Sequence, residues 1–219
     1  MLLQHMLLQR AVEEFEQAWS NPSYTRFELP PMPVNEVLNE KYTVSSPLRL
    51  SREMVWDMEL KKAWDPATFI PSVVSKGRCW GRHQIEVGSE RFFRSSTQLS
   101  WLSDGYGTVL EEVFVDHKQQ KILFLGRDHF ETKDGLDTAS NFQPLFHVEH
   151  AVGGSVDRPL NLWRIVILTR TRDERYTERL QEASRQGFLP EFLEIYIERQ
   201  FGCTLKKNSP NTTLAGFDE

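Results

Sequence analysis

Apolar residues recur at helical spacing near both ends of the chain and at strand spacing between them. Residues 2–19 carry apolar side chains near helical periodicity, Phe15 and Trp19 among them, which predicts an amphipathic helix that stops at Asn21-Pro22. Packing against the outside of the domain is the leading interpretation of this helix. A dimerisation arm or a lid is the alternative.

The next fifty residues predict a connector, one strand and two helices. Three prolines within residues 24–39 argue against a long regular element and indicate a surface connector. Residues 42–49 alternate like a strand. Ser51 is a natural N-cap for a helix over 51–62, and Trp64-Asp65-Pro66 begins a second short helix that ends before Gly77.

The middle of the chain reads as consecutive strands joined by short turns. Period-two alternation predicts six of them, over 78–86, 91–102, 108–116, 120–131, 145–152 and 160–170. Residues 132–144 form a longer polar loop between the fourth and fifth strands. Consecutive strands with short connections predict a meandering antiparallel sheet.

The last part of the chain returns to helical spacing. Apolar residues share one face from 173 to 201, and Gly187 and Pro190 interrupt them, which predicts one kinked helix or two helices end to end. We therefore divide the chain into an N-terminal helix and Pro-rich connector (1–40), a ligand-binding domain (41–202) and a loose tail (203–219).

Composition and charge narrow the function. The 219 residues include 14 Phe and 6 Trp, which indicates an aromatic-lined interior or groove. A net charge of -5 argues against a strongly basic nucleic-acid binder. Cys79 and Cys203 lie too far apart in sequence for a CxxC zinc unit, and two free thiols suggest a cytoplasmic protein. No apolar run is long enough to span a bilayer, and no targeting segment is evident.

Two segments make the chain similar to a known superfamily. Residues 48–56 (Leu-Arg-Leu-Ser-Arg-Glu-Met-Val-Trp) take a strand into a helix with a Val-Trp pair, and residues 64–71 (Trp-Asp-Pro-Ala-Thr-Phe-Ile-Pro) follow. Over residues 42–202 the chain resembles the START-like, or SRPBCC, superfamily, which includes the birch-pollen allergen and polyketide cyclase/dehydrase proteins. The resemblance implies an α+β helix-grip fold. A curved antiparallel sheet of about six to seven strands wraps a long C-terminal helix, and the N-terminal helix is an addition.

The same resemblance implies a hydrophobic small molecule in an internal cavity. An acid–base enzyme of secondary metabolism, of the cyclase, dehydratase or lyase type, is the leading expectation. A non-catalytic carrier or sensor of lipid or terpenoid is one alternative, and a cone-shaped barrel of the NTF2/SnoaL type is another. No cofactor and no nucleic-acid partner are expected, and the N-terminal helix could join a homodimer.

Polar residues on two strands expected to be neighbours suggest the chemistry. Period-two spacing puts His129 and Glu131 on one face of the first strand, and His147 and Glu149 on one face of the second. Imidazole titrates near neutral pH, so the two histidines are acid–base candidates with Glu149 orienting a ring. The alternatives are a metal held by these four residues, some START-like hydrolases having a metal in the cavity, or a solvated sheet face.

Arginines within apolar strands and strand aromatics complete the candidate site. Arg164 either holds a ligand oxyanion in the cavity, the role we assign it, or pairs with Glu149 at the sheet surface, and Arg94 poses the same choice. The aromatic residues that we expect to contact the ligand are Trp80, Phe93, Trp101, Tyr106, Phe146 and Trp163.

Overall fold

A computed structural model describes residues 2–132 and 135–208 of the chain. Its helices are α1 (Leu2–Ser20), α2 (Val34–Lys41), α3 (Arg52–Trp64), α4 (Pro66–Phe69), α5 (Glu174–Ser184) and α6 (Glu191–Phe201). Its strands are β1 (Thr25–Glu28), β2 (Met32–Pro33), β3 (Tyr42–Val44), β4 (Val74–Glu86), β5 (Ser89–Leu99), β6 (Tyr106–Asp116), β7 (Lys121–Arg127), β8 (His129–Thr132), β9 (Gly135–Thr138), β10 (Phe146–Ser155), β11 (Arg158–Ile167) and β12 (Leu205–Lys207).

Antiparallel pairing organises the centre of the molecule. Among the described residues, eight strands form one sheet in the order β1-β11-β10-β7-β6-β5-β4, with β2 beside β11. Register shifts between β4 and β5 mark bulges, which bend a strand and increase its twist. The α+β class and the meandering sheet predicted from the sequence are confirmed.

The two faces of the sheet carry different helices. On the outer face, Ala11 and Phe15 of α1 pack against Phe114, Leu125 and Val166. This contact confirms that the N-terminal helix covers the outside of the domain, while its part in a dimer stays a prediction. None of the described helices is long and apolar enough to cross a membrane.

The inner face of the sheet packs against α3 and α6. Met58, Leu193 and Ile197 of these helices join Val113 and Ile165 in the main core. A sheet laid against the last helix is the helix-grip architecture that the resemblance implies.

The C-terminal helical region is two helices rather than one. Gly187 has a φ of +62°, a left-handed conformation that a residue with a side chain rarely adopts, and Pro190 precedes the first turn of α6. The second alternative from the sequence, two helices end to end, is therefore the one observed, and α6 alone is shorter than the expected long helix.

Four segments differ from the sequence prediction. The second short helix, predicted to end just before Gly77, ends at Phe69, and β4 already begins at Val74. The Pro-rich stretch contains β1, β2 and most of α2, because β1 pairs with β11 and the Asn35 amide bonds the backbone of Leu50 in both directions at 2.9 Å. Residues 205–207, predicted to be loose, pair with β3, whereas 209–219 lie outside the described residues. The predicted strand over 120–131 is broken at Asp128, and β8 pairs with β9 inside the predicted loop.

Candidate functional site

A cavity of about 240 Å³ lies between the inner face of the sheet and α6. Its walls combine aromatic and aliphatic side chains with a few ionisable ones. The lining residues are Lys62, Ile70, Ser72, Val73, Arg94, Gln98, Trp101, Glu111, Phe124, Phe146, Val148, His150, Trp163, Pro190, Glu191 and Phe192. The volume is below the roughly 300–1,000 Å³ typical of drug-sized ligands, so a compact ligand fits it.

A buried cluster of charged and polar groups stands at the wall of this cavity. Glu59 and Lys62, one turn apart on α3, form an ion pair with 2.5 Å between Oε2 and Nζ. The same Nζ lies 2.8 Å from Nδ1 of His150, and Asn161 donates to Glu59 Oε1 at 2.7 Å. Every member is at least nine-tenths buried. Such a cluster in an apolar interior is costly unless its members satisfy one another.

Burial and mutual charge set the protonation states of the cluster. Burial lowers the pKa of Lys62 to about 8, although the Glu59 charge opposes the shift. Burial, and then the Lys62 charge, lower the pKa of His150 below its usual 6.5. For Glu59, burial raises the pKa, but the Lys62 charge and the contacts with Lys62 and His150 outweigh burial, and the net pKa is low. The cluster at neutral pH therefore holds a carboxylate, an easily deprotonated ammonium and a neutral imidazole.

A second buried ion pair lies on the neighbouring strands. Arg94 of β5 donates through Nε to Glu111 of β6 at 2.7 Å, and its Nη1 donates to the carbonyl of Ala63 at 3.3 Å. Its guanidinium stacks 4.5 Å from the ring centroid of Phe124. Arg94 is thus held inside the molecule by a cross-strand carboxylate, a backbone acceptor and an aromatic face.

Three of the six aromatic residues predicted to contact a ligand line the cavity. They are Trp101, Phe146 and Trp163. Trp80 and Phe93 stack on one another at 5.8 Å and are not among the lining residues, because residue 93 points away from the inner face that Arg94 occupies. Tyr106 is half exposed. The predicted ligand contacts of Trp80, Phe93 and Tyr106 are therefore wrong for this cavity.

His147, Glu149 and Arg164 face α1 rather than the cavity. Arg164 donates to Glu149 through Nε at 2.8 Å and to Glu16 of α1 through Nη2 at 2.7 Å. His147 Nε2 lies 3.6 Å from Glu14 of α1. The catalytic role that we gave these residues is therefore corrected. For Arg164 the surface alternative, pairing with Glu149, is the one observed.

His129 and Glu131 lie on β8, outside the main sheet. The His129 side chain is 54% exposed and its Nδ1 lies 2.8 Å from Asp128. The strand is interrupted at Asp128, and β8 pairs with β9 instead of joining the main sheet beside β10. The predicted cluster of two histidines and two glutamates therefore does not form. Among the described residues, no group of three or more His, Cys, Asp or Glu side chains is arranged to hold a metal.

The alternation of side chains along β10 could have identified a residue that does reach the cavity. Phe146, Val148 and His150 alternate on β10, so an apolar pair at 146 and 148 also directs His150 inward. The sequence analysis pursued the face of this strand that carries His147 and Glu149, which is opposite to the face that carries His150. Glu59 and Lys62 left a weaker signal, because charged residues on a helix usually face water.

Comparison with known proteins finds similarity only among solved structures. No family model matches the chain, and no curated protein matches it. The ZhuI aromatase/cyclase from Streptomyces sp. R1128 is 12% identical, with 81% of this chain and 94% of that chain covered and a TM-score of 0.47. Ara h 8.0201 is 10% identical (79% and 95% covered, TM-score 0.45). A norcoclaurine synthase point mutant from Thalictrum flavum is 8% identical (82% and 99% covered, TM-score 0.45).

Proposed function

We propose that the protein binds an apolar small molecule in the cavity and that Lys62 and His150 exchange protons with it. The observation that carries the proposal is the placement of a buried lysine and imidazole at the wall of a largely apolar cavity, with the carboxylate of Glu59 paired to the lysine. Buried ionisable groups in a concave apolar site are typical of proton-transfer enzymes. The reaction class would be an isomerisation, cyclisation or dehydration.

The contact between the two groups supports a proton relay. We assign the proton of the neutral His150 imidazole to Nε2, because the Lys62 ammonium, 2.8 Å from Nδ1, can only donate to that nitrogen. Nε2 would give that proton to the ligand while Nδ1 takes one from Lys62. The relay leaves a neutral amine, which the lowered pKa of Lys62 makes accessible near neutral pH.

Surrounding groups hold the relay in place. The His150 ring lies between Phe124 and Trp163, with ring centroids 5.7 and 5.5 Å away. The Lys62 Nζ sits 3.9 Å from the ring centroid of Phe192 on α6. Glu59 would stabilise the ammonium and is itself oriented by Asn161. Aromatic walls exclude water, which strengthens these interactions.

Ligand binding is tested by filling the cavity. Val148 lines it, so Val148→Trp is expected to weaken the binding of tetralin, an apolar bicyclic probe, at least roughly tenfold in isothermal titration calorimetry. Val156→Trp, at a residue 56% exposed, is the matched control and should bind as the unmodified chain does. Equal affinity of all three proteins would place the probe elsewhere and refute binding in the cavity.

Proton exchange is tested with a ketone probe. The hydrogens next to the carbonyl of 1-tetralone exchange slowly with D₂O, and the protein is expected to accelerate this exchange. Lys62→Met and His150→Phe should abolish the acceleration, with circular dichroism confirming that each variant is folded. If the probe binds but its hydrogens exchange only at the rate seen without protein, the proposed proton transfer is refuted and a non-catalytic carrier is favoured.

A further inference from the structure

The side-chain nitrogen of Lys62 lies where several side chains of the cavity wall converge. Its Nζ is 2.8 Å from Nδ1 of His150 and 3.9 Å from the ring centroid of Phe192, and all three residues line the cavity. A lysine held in an apolar pocket can act as a nucleophile toward carbonyl carbon, because desolvation makes its neutral amine accessible. The position of Lys62 therefore suits it to form a bond with a ligand as well as to exchange protons with it.

The neutral amine of Lys62 is populated near neutral pH. Burial lowers its pKa to about 8, so roughly a tenth of the molecules carry the free amine at pH 7. A solvated lysine, with a pKa of about 10.4, carries it in fewer than about one molecule in a thousand. His150 stands next to the ammonium and can accept the proton that the nitrogen must lose before it attacks a ligand.

The buried carboxylate of Glu59 selects the kind of bond that Lys62 can form. Glu59 Oε2 lies 2.5 Å from Nζ, and its side chain is 0% exposed. Condensation of the ammonium with an aldehyde gives a protonated imine and water, so the nitrogen keeps one positive charge and Glu59 keeps its partner. Acylation would instead give a neutral amide and leave the carboxylate buried without a cation, which is costly. The pair therefore favours an aldehyde over an ester or thioester.

We propose that Lys62 captures an aldehyde as a protonated imine, with His150 moving the protons and Glu59 as the counter-ion. This inference rests on the proposed function, since it uses the same cavity and the same two residues. The ammonium gives a proton to His150, the amine forms a C–N bond with the carbonyl carbon, and the imidazolium returns the proton to the oxygen. His150 then carries a second proton from nitrogen to the hydroxyl, which leaves as water while the nitrogen lone pair closes the C=N bond.

The test is reductive trapping with benzaldehyde, a compact neutral aldehyde. Sodium cyanoborohydride delivers a hydride to an iminium carbon and leaves a stable benzyl group on the lysine that reacted. At pH 7, peptide mass spectrometry should find Lys62 labelled at least roughly tenfold faster than Lys61, its neighbour on α3, whose side chain is 40% exposed. Labelling of Lys62 no faster than that of Lys61 would overturn the inference.

Two controls tie the labelled lysine to the cavity. Saturating tetralin should protect Lys62 from labelling and leave Lys61 unchanged, and Val148→Trp, which fills the cavity, should do the same without a competitor. Labelling of Lys62 that neither measure slows, in folded protein, would overturn capture in the cavity. The two proposals fail separately. Accelerated exchange of 1-tetralone without selective labelling of Lys62 would overturn the imine and leave the proton relay standing, whereas failure of every probe to bind would overturn both.

Discussion

Replacing Lys62 by methionine tests the energetics of the buried cluster most severely. The substitution keeps the length of the side chain but leaves the Glu59 carboxylate, 0% exposed, without the cation that lies 2.5 Å away. Breaking a buried ion pair from one side typically costs about 3–5 kcal/mol. For a chain of this size that loss corresponds to a fall in Tm of about 6–20 °C.

The assay is urea unfolding at pH 7, followed by circular dichroism. The double variant Glu59→Gln/Lys62→Met should recover most of the loss, because no uncompensated charge remains in the core. Lys61→Met is the matched control, since Lys61 pairs with Asp57 at 2.6 Å in a position where both side chains are about 40% exposed or more. That variant should cost less than about 1 kcal/mol. A Lys62 variant no less stable than the Lys61 variant would refute the buried, mutually dependent cluster.

Two further predictions concern stability, and a third concerns association. Burial lowers the pKa of His150, so below pH 6.5 the unfolded chain binds a proton at this residue more readily than the folded chain does. The free energy of unfolding should therefore fall from pH 7 to pH 5, and His150→Phe should reduce its dependence on pH by up to about 1.4 kcal/mol per pH unit. Gly126→Ala should cost at least about 2 kcal/mol in urea unfolding, because a Cβ would lie 2.4 Å from the Phe146 carbonyl oxygen, whereas Gly105→Ala meets only ordinary contacts and should be near neutral. Deleting residues 1–20 uncovers the outer apolar face and should cause association in size-exclusion chromatography; a stable monomer would contradict that role of α1.

Local patterns were sufficient for the fold because each element is specified by short-range chemistry. The Ser51 side chain accepts from the Met54 N–H at 3.3 Å and begins α3, and Asp65 with Pro66 begins α4 as their positions predict. Where the prediction failed, distant contacts decided the structure. The pairing of β1 with β11 joins residues about 140 positions apart, and nothing near Thr25 reveals that partner.

The candidate site depended on which face of the sheet turns inward, and the sequence left that choice open. A period-two pattern assigns His147 and His150 to opposite faces but does not say which face meets the last helix. The outer face is itself covered by α1, so His147 is as buried as His150 and burial gives no distinction. The sequence analysis missed Lys62 because, except for Glu59, its partners lie on distant elements. They are His150 on β10 and Phe192 on α6.

The central claim is that an apolar small molecule occupies the space between the sheet and α6, beside Lys62 and His150. A crystal structure of the protein grown with saturating 1-tetralone tests it most directly. We predict density for one molecule against Phe124, Phe146 and Phe192, with its oxygen beside His150. An empty cavity with the probe bound at the surface, in protein that titration shows to be saturated, would contradict the account.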